Sequence, residues 1–161
     1  MNNVLESILI GTVGLSIAAA ISLYLAIRAD RSSLDAQAGN LALLGIACHC
    51  IHFLEEYWTG FYVGFPTLLG LSVWPASFFV VFNVVLIAIW ILSVRVVSSG
   101  RWFSLFPLWF LALGSSINGL AHPALAFVSG GYFSGLLTSP IVGVLGVLMV
   151  RSLSKANLNA A

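Results

Sequence analysis

Long apolar runs with very few charged residues constrain this chain more than any other feature of its sequence. Five such segments are present, and each is near the length of about 20 residues that crosses a bilayer as a helix. Hydrophobic residues make up 60% of the chain, well above their share in soluble domains. We therefore predict an all-α integral membrane bundle of about five transmembrane helices, forming one domain over residues 1–161. The predicted spans are 5–27, 41–57, 75–97, 102–127 and 136–150.

The basic residues indicate the orientation of this bundle. The six Lys and Arg residues fall in three places, at Arg28 and Arg31, at Arg95 and Arg101, and at Arg151 and Lys155. Five spans put all three places on one side of the membrane, and the positive-inside rule makes that side cytoplasmic. We expect the N-terminus outside and the C-terminus in the cytoplasm, in a plasma or inner membrane. A net charge of +1 without a basic patch argues against nucleic-acid binding.

The end of the second apolar segment carries an unusual group of ionisable residues. It holds His49, His52, Glu55 and Glu56, which are two of the three histidines and two of the five acidic residues of the chain. Ionisable side chains inside a span cost several kcal/mol at the bilayer centre, so they usually have a function or a partner. Glu55 and Glu56 follow His52 by three and four residues, so both carboxylates can reach its side of a helix. His49 lies one turn earlier and is either part of the site or a hydrogen-bonded core residue.

The predicted topology gathers the other unexplained polar residues at the same depth. Asn118 and His122 are four residues apart in the outer half of the fourth span, and Asn83 lies in the outer half of the third. Tyr132 falls in an outer connection. The result is one polar layer in the outer leaflet, in which Asn83, Asn118 and Tyr132 would orient a substrate. Packing is the alternative role for the two asparagines, and an interfacial aromatic belt is the alternative for Tyr132.

A histidine with a carboxylate one turn away, and a second histidine from another helix, can hold a divalent transition metal. The expected ligands are His52, Glu56 and His122, with Glu55 as a further ligand or general base, and the metal would be zinc, iron or manganese. The same groups could instead form a proton relay or an acid–base pair. They could also form an interhelical hydrogen-bond network that only fixes packing.

Residues His52-Phe53-Leu54-Glu55-Glu56 read H-x-x-E-E, and they are followed by His122 and by the segment Tyr132-Phe133-Ser134-Gly135. This order resembles the HXXEE family of small multi-pass membrane proteins, which has a further histidine and a Y-x-P-G motif. Ser134 stands where the family has proline. The resemblance covers about residues 41–150. It implies site positions, with no reaction attached to them.

Our leading functional hypothesis is a membrane-embedded, metal-dependent enzyme that acts on a lipid or another apolar small molecule. Its catalytic residues would be His52, Glu55, Glu56 and His122. The alternatives are a transporter or ion-binding carrier, and a non-catalytic membrane partner with a structural polar layer. The uncharged connections 59–74 and 129–135 would cap the site, and the second of these is expected to be flexible. We also expect Pro123 to kink or end the fourth span, and the tail from Arg151 to fray.

Overall fold

The computed structural model describes residues 3–29, 36–96 and 102–158 of the 161-residue chain. Every regular element in these ranges is a helix, which agrees with the predicted all-α class. The helices are α1 (Val4–Gly11), α2 (Val13–Arg28), α3 (Ala36–Trp58), α4 (Phe61–Leu68), α5 (Ala76–Val96), α6 (Trp102–Ser129) and α7 (Ser139–Leu158). The basic residues Arg31 and Arg101, on which the predicted orientation partly rests, lie outside the described residues.

Three of these helices, α3, α5 and α6, are long and apolar enough to cross a membrane. Helices α1 and α2 pass the same test only together, and they meet at a bend of 47°. The described chain therefore provides three candidate spans, or four if the bent pair is one span. Three or four spans agree with a membrane protein. The predicted number of five spans is larger than the number that these helices provide.

The distribution of polarity across the bundle also suits a bilayer. Leu120 and Phe127 of α6 are 78% and 88% exposed, while His52 and His122 are 0% and 2% exposed. Because lipid solvates apolar side chains, the outer face of a membrane bundle can be apolar, and ionisable groups face its interior.

The bend between α1 and α2 lies beside a distant tryptophan. The ring of Trp74 lies so close to Gly11 that a β-carbon there would overlap it. Trp74 donates a hydrogen bond from Nε1 to Ser7 Oγ (3.0 Å), and Ser7 Oγ donates to the Ser72 carbonyl (2.5 Å). The predicted first span is therefore broken one third of the way along, where the Thr12 hydroxyl donates to the Ile8 carbonyl (2.7 Å).

Helices α6 and α7 form the closest helix pair of the bundle. Gly119 and Gly143 face each other, and a β-carbon on either would lie 2.6 Å from the other's Cα. One turn further, a β-carbon on Gly146 would lie 2.5 Å from the backbone nitrogen of Ser116. Small residues allow this approach, as is usual between helices in membranes.

The helix boundaries differ from the predicted ones in three places. Part of the 59–74 connection is a short helix, α4, which contacts α1 and α3. Helix α6 does not end at Pro123 but continues to Ser129, as is tolerated in membrane helices when neighbours satisfy the freed backbone groups. Helix α7 begins at Ser139 and runs past Val150 to Leu158, so its last turns are helical where we expected a frayed tail.

The helix ends divide the bundle into two ends of different character. Hydrogen bonds join the start of α1 to the segment before α5, the end of α3 to the start of α7, and His122 of α6 to the 130–138 loop. We call this the site end. The described basic residues, Arg28, Arg95, Arg151 and Lys155, lie towards the opposite ends of α2, α5 and α7.

Candidate functional site

Three ionisable side chains from two helices converge at the site end. Glu56 Oε1 lies 3.6 Å from His52 Nε2 and 3.3 Å from His122 Nε2. One ligand atom from each of the three residues lies within 4.8 Å of the others. All three residues are buried. We call His52, Glu56 and His122 the triad, and they are the three ligands expected from the sequence.

The hydrogen bonds of His52 determine which of its ring nitrogens carries a proton. The Thr138 hydroxyl donates to Glu55 Oε2 (2.5 Å), so its oxygen is left to accept a bond from His52 Nδ1 (2.6 Å). Nδ1 is then the protonated nitrogen. Nε2 of the neutral ring keeps its lone pair, towards which Asn118 Nδ2 donates weakly over 3.4 Å. A partner on one ring nitrogen commonly orients a metal-binding histidine in this way.

The same logic applies to His122. Its Nδ1 lies 2.6 Å from the carbonyl oxygen of Ser134, which can only accept, so Nδ1 is again the donor. In a neutral ring Nε2 then directs a lone pair at Glu56, and in a protonated ring Nε2–H donates to the Glu56 carboxylate. As a carboxylate, Glu56 is an acceptor too. Three acceptors at these distances are unfavourable together unless a proton or a cation lies between them.

Two of the three distances between these atoms are close to those around a small divalent metal ion. Zinc bonds of about 2.0–2.1 Å in a tetrahedral site imply distances of roughly 3.3 Å between ligand atoms. The two distances to Glu56 Oε1, 3.3 and 3.6 Å, are close to this value. Two imidazoles and one carboxylate also suit iron and manganese. A set of three protein ligands leaves a position open for water or substrate, as in catalytic zinc sites.

Glu55 has a different environment from Glu56. Its carboxylate accepts from the Tyr132 hydroxyl (2.7 Å), from the Leu137 and Thr138 backbone amides (2.9 Å each) and from the Thr138 hydroxyl (2.5 Å). These donors include the free amides before the first turn of α7, where a negative charge is favourable. The structure therefore favours a role for Glu55 in holding the start of α7 and, through Thr138, in orienting His52. Glu55 is not part of the triad.

Tyr132 lies at the surface, 51% exposed, and its hydroxyl bonds to Glu55. Partial burial and this hydrogen bond raise the pKa of Tyr132, so the phenol stays protonated and remains a donor. It does not line the cavity described below. The geometry thus gives Tyr132 a part in holding the loop, and does not favour the substrate contact expected from the sequence.

Gly135 closes the loop against the triad. Its φ of +83° lies in the left-handed region, which other residues adopt at a cost. A β-carbon there would lie 2.5 Å from His122 Cε1 and 2.9 Å from His52 Cε1. Both histidines of the triad therefore pack directly on this glycine. The loop that we expected to be flexible is held by these contacts and by the bonds of Ser134 to Thr59 (2.6 Å) and to the Glu56 carbonyl (3.2 Å).

A cavity of about 220 Å³ opens beside the triad. Glu56 and His122 lie on its wall, together with Asn83 and Asn118, as expected for residues that contact a substrate. Eight of the other twenty lining residues are aromatic, among them Phe61, Phe65, Trp74, Phe78, Phe79 and Phe82. The cavity is thus largely apolar with a few converging polar groups, which is typical of a small-molecule site.

Sequence reasoning missed two groups that hold the histidines. Thr138 orients His52, and the Ser134 carbonyl orients His122. A signal for the first was available, since Thr138 precedes Ser139-Pro140 in the pattern of a helix N-cap followed by proline in the first turn. The second is a backbone group, which any residue type supplies.

Comparison of the chain with protein-family models, characterised proteins and solved structures found no match. The resemblance to the HXXEE family therefore rests on the motif residues alone. Those residues meet in space, because His52, Glu56, His122 and Gly135 contact one another and Tyr132 contacts Glu55.

Proposed function

We propose that this chain is a metal-dependent integral membrane enzyme whose metal is held by His52, Glu56 and His122. The convergence of three buried lone-pair atoms carries the proposal, since each histidine already spends its Nδ1 hydrogen on another partner. A zinc, iron or manganese ion bound there would supply a Lewis acid or an activated water. The HXXEE resemblance supports the choice of these residues, and membership of that family is part of the proposal.

The proposed membrane arrangement has five spans, with α1 and α2 together as the first and α7 as the fifth. The described basic residues lie towards the end of the bundle opposite the site, which supports a cytoplasmic C-terminus and an outer N-terminus under the positive-inside rule. The triad would then lie in the outer leaflet of a plasma or inner membrane.

The substrate class follows from the cavity and from its route to the lipid. A second groove, between α1–α2 and α5, shares Thr12, Leu15, Phe78 and Phe82 with the cavity beside the triad. Helices α2 and α5 both pack on α6. An apolar molecule could enter from the bilayer through this groove without crossing water. We therefore propose a lipid or another apolar small molecule as the substrate.

The chain's own residues would bind, orient and shield this substrate. Asn118 faces both the cavity and His52 Nε2, so it can donate to an oxygen beside the triad. The rings of Phe61 and Phe133 lie 5.5 and 6.5 Å from His122 and exclude water from that side. Glu56 can hold a proton or stay ionised as a ligand, while Glu55 stays engaged with α7.

The carrier hypothesis finds less support in the described residues. Beyond the cavity the bundle is tightly packed with apolar side chains, among them Leu105, Leu108, Trp109 and Met149, each 2% exposed or less. A transported ion would need polar groups along a path through this half. We therefore favour the enzyme.

The proposal is tested by the chemistry that the protein performs on membrane molecules. Metal-loaded protein is placed in vesicles made from a total lipid extract, and the apolar molecules are compared by mass spectrometry with those from the Glu56→Gln variant. We expect at least one species consumed by the wild type and unchanged by the variant or in the presence of a chelator. An identical profile for folded, metal-loaded wild type would contradict the enzyme and favour a structural polar layer.

A further inference from the structure

Buried polar atoms without a hydrogen-bond partner are concentrated around the cavity. Among the described residues, these side-chain atoms are His49 Nδ1, Trp90 Nε1, Ser115 Oγ and Trp109 Nε1. The first three belong to residues that line the cavity, and Trp109 does not. Native proteins satisfy the great majority of buried polar groups. Three such groups around one cavity therefore point to a ligand that supplies their partners.

His49 and Trp90 contact each other on the cavity wall, and Ser115 lines the same cavity. The rings of His49 and Trp90 are 4.8 Å apart and meet edge to face, at 88°. The His49 ring is 6.0 Å from that of His52, one helical turn further towards the triad. Ser115 precedes Asn118 by one turn on α6. We call His49, Trp90 and Ser115 the inner polar subsite.

Each member of this subsite is at least nine-tenths buried. His49 is 8% exposed, Ser115 3% and Trp90 2%. Asn83 also lines this part of the cavity and is a hydrogen-bonding neighbour of His49, while its amide donates to the Phe79 carbonyl (2.9 Å). His49 Nδ1 nevertheless has no partner.

We propose that the inner polar subsite binds one hydroxyl or carbonyl oxygen of a neutral, otherwise apolar substrate. An indole N–H can only donate, so Trp90 requires an acceptor oxygen. Ser115 can donate or accept, and a ligand hydroxyl can donate to His49 Nδ1. The inference rests on the proposed function in taking the cavity as the substrate site, and it adds the chemical class of that substrate.

The charge of the lining excludes anions. No Lys or Arg is among the described residues around the cavity, and its one acidic residue, Glu56, belongs to the triad. A carboxylate or phosphate would find no counter-charge at the subsite, and burying it unpaired is strongly unfavourable.

The volume of the cavity also limits the size of the substrate, since a cavity of about 150 Å³ holds one benzene and this one is about 220 Å³. A phenol, a short alcohol or a ketone fits both conditions.

The test compares 4-fluorophenol with fluorobenzene, which differ by one hydroxyl, by fluorine NMR on the full chain in lipid nanodiscs. Affinities are corrected for partition into empty nanodiscs. We expect the phenol to bind about tenfold more tightly than fluorobenzene, the size of effect typical of one buried hydrogen bond. 4-Fluorobenzoate should not bind.

Variants locate the contact. His49→Leu and Ser115→Ala should reduce the preference for the phenol to about threefold or less, whereas Trp109→Phe, which removes the unpartnered group outside the cavity, should keep it. Equal binding of the two probes to folded wild type would overturn the inference, because water alone would then satisfy the subsite. A preference that survives both His49→Leu and Ser115→Ala would also overturn it.

A third variant separates this inference from the proposed metal site. His52 does not line the cavity, so His52→Asn should lose the metal and retain the preference for the phenol. Protein that binds metal without preferring the phenol contradicts the subsite alone. Protein that prefers the phenol without binding metal contradicts the metal proposal alone.

Discussion

Replacing Gly135 by alanine should displace His52 and His122, the histidines that we propose as metal ligands, while the helices stay folded. The new methyl group would lie 2.5 Å from His122 Cε1 and 2.9 Å from His52 Cε1. Carbon atoms pack best at about 3.5–4.0 Å, so each ring must move by roughly 1 Å. Metal–ligand distances tolerate only about 0.2 Å. We expect zinc to bind at least 10- to 100-fold more weakly, as when groups that orient metal ligands are lost.

Gly130 provides a matched control for the backbone strain in this variant. It lies in the same loop with φ +75°, close to the +83° of Gly135, yet a β-carbon on it meets nothing within 4 Å. Alanine at either position pays the cost of a left-handed conformation, about 1–2 kcal/mol. Only Gly135→Ala adds the contact with the histidines.

The assay is competition with a fluorescent zinc chelator, performed on each purified variant in nanodiscs, beside thermal unfolding in detergent. Both variants should unfold at a lower temperature than the wild type, and only Gly135→Ala should lose zinc. Equal zinc affinity for Gly135→Ala and the wild type would refute the argument that this glycine holds the ligands in place. Equal loss in Gly130→Ala would mean that loop strain, and not the methyl contact, is responsible.

Three further changes test other contacts. Thr138→Val removes the acceptor of the His52 Nδ1 proton and should weaken zinc binding about 10- to 100-fold. Thr138→Ser keeps the hydroxyl and should largely restore zinc binding. Unchanged binding by the valine variant would contradict the assignment of the His52 proton to Nδ1. Glu55→Gln leaves the donors before α7 short of an acceptor oxygen and should lower the free energy of unfolding by about 1–3 kcal/mol, measured by denaturant titration. Gly143→Ala places a methyl group against α6 and should lower the free energy of unfolding by about 1–3 kcal/mol in the same titration. Gly114→Ala has open space around it and should leave the free energy of unfolding unchanged. Equal effects of the two changes would argue against the close approach of α6 and α7.

The ligand set could be anticipated because it depends on local spacing and on chain topology. His52 and Glu56 share a helix face whatever the tertiary structure. His122 follows from alternation of the helices, which brings the end of α6 to the end of α3. The distribution of basic residues used no information about the site, yet it indicated the same end of the bundle.

The role of Glu55 could not be anticipated in this way. Both adjacent glutamates can reach His52 from the helix, and the amides of Leu137 and Thr138 decide between them. That contact depends on where α7 begins. The broken first span is similar, because its bend lies beside Trp74, which is more than sixty residues away from Gly11 in the chain.

Ser134 stands where the HXXEE family, which the motif residues resemble, has proline, and this difference has a physical explanation. The His122 ring is held by the carbonyl of this residue, and proline has a carbonyl as well. Serine adds a hydroxyl that contacts Thr59 and the Glu56 carbonyl. The ordering that proline would supply through its ring is therefore supplied here by hydrogen bonds.

The most direct test of the metal site is the metal content of the purified protein, measured by mass spectrometry. We expect about one equivalent of zinc, iron or manganese in the wild type and in His49→Phe, whose histidine lies one turn from the triad. His52→Ala and His122→Ala should each lose the metal while circular dichroism shows intact helices. Absence of metal from folded wild type after loading with each of the three ions, or retention of metal by both alanine variants, would contradict the account.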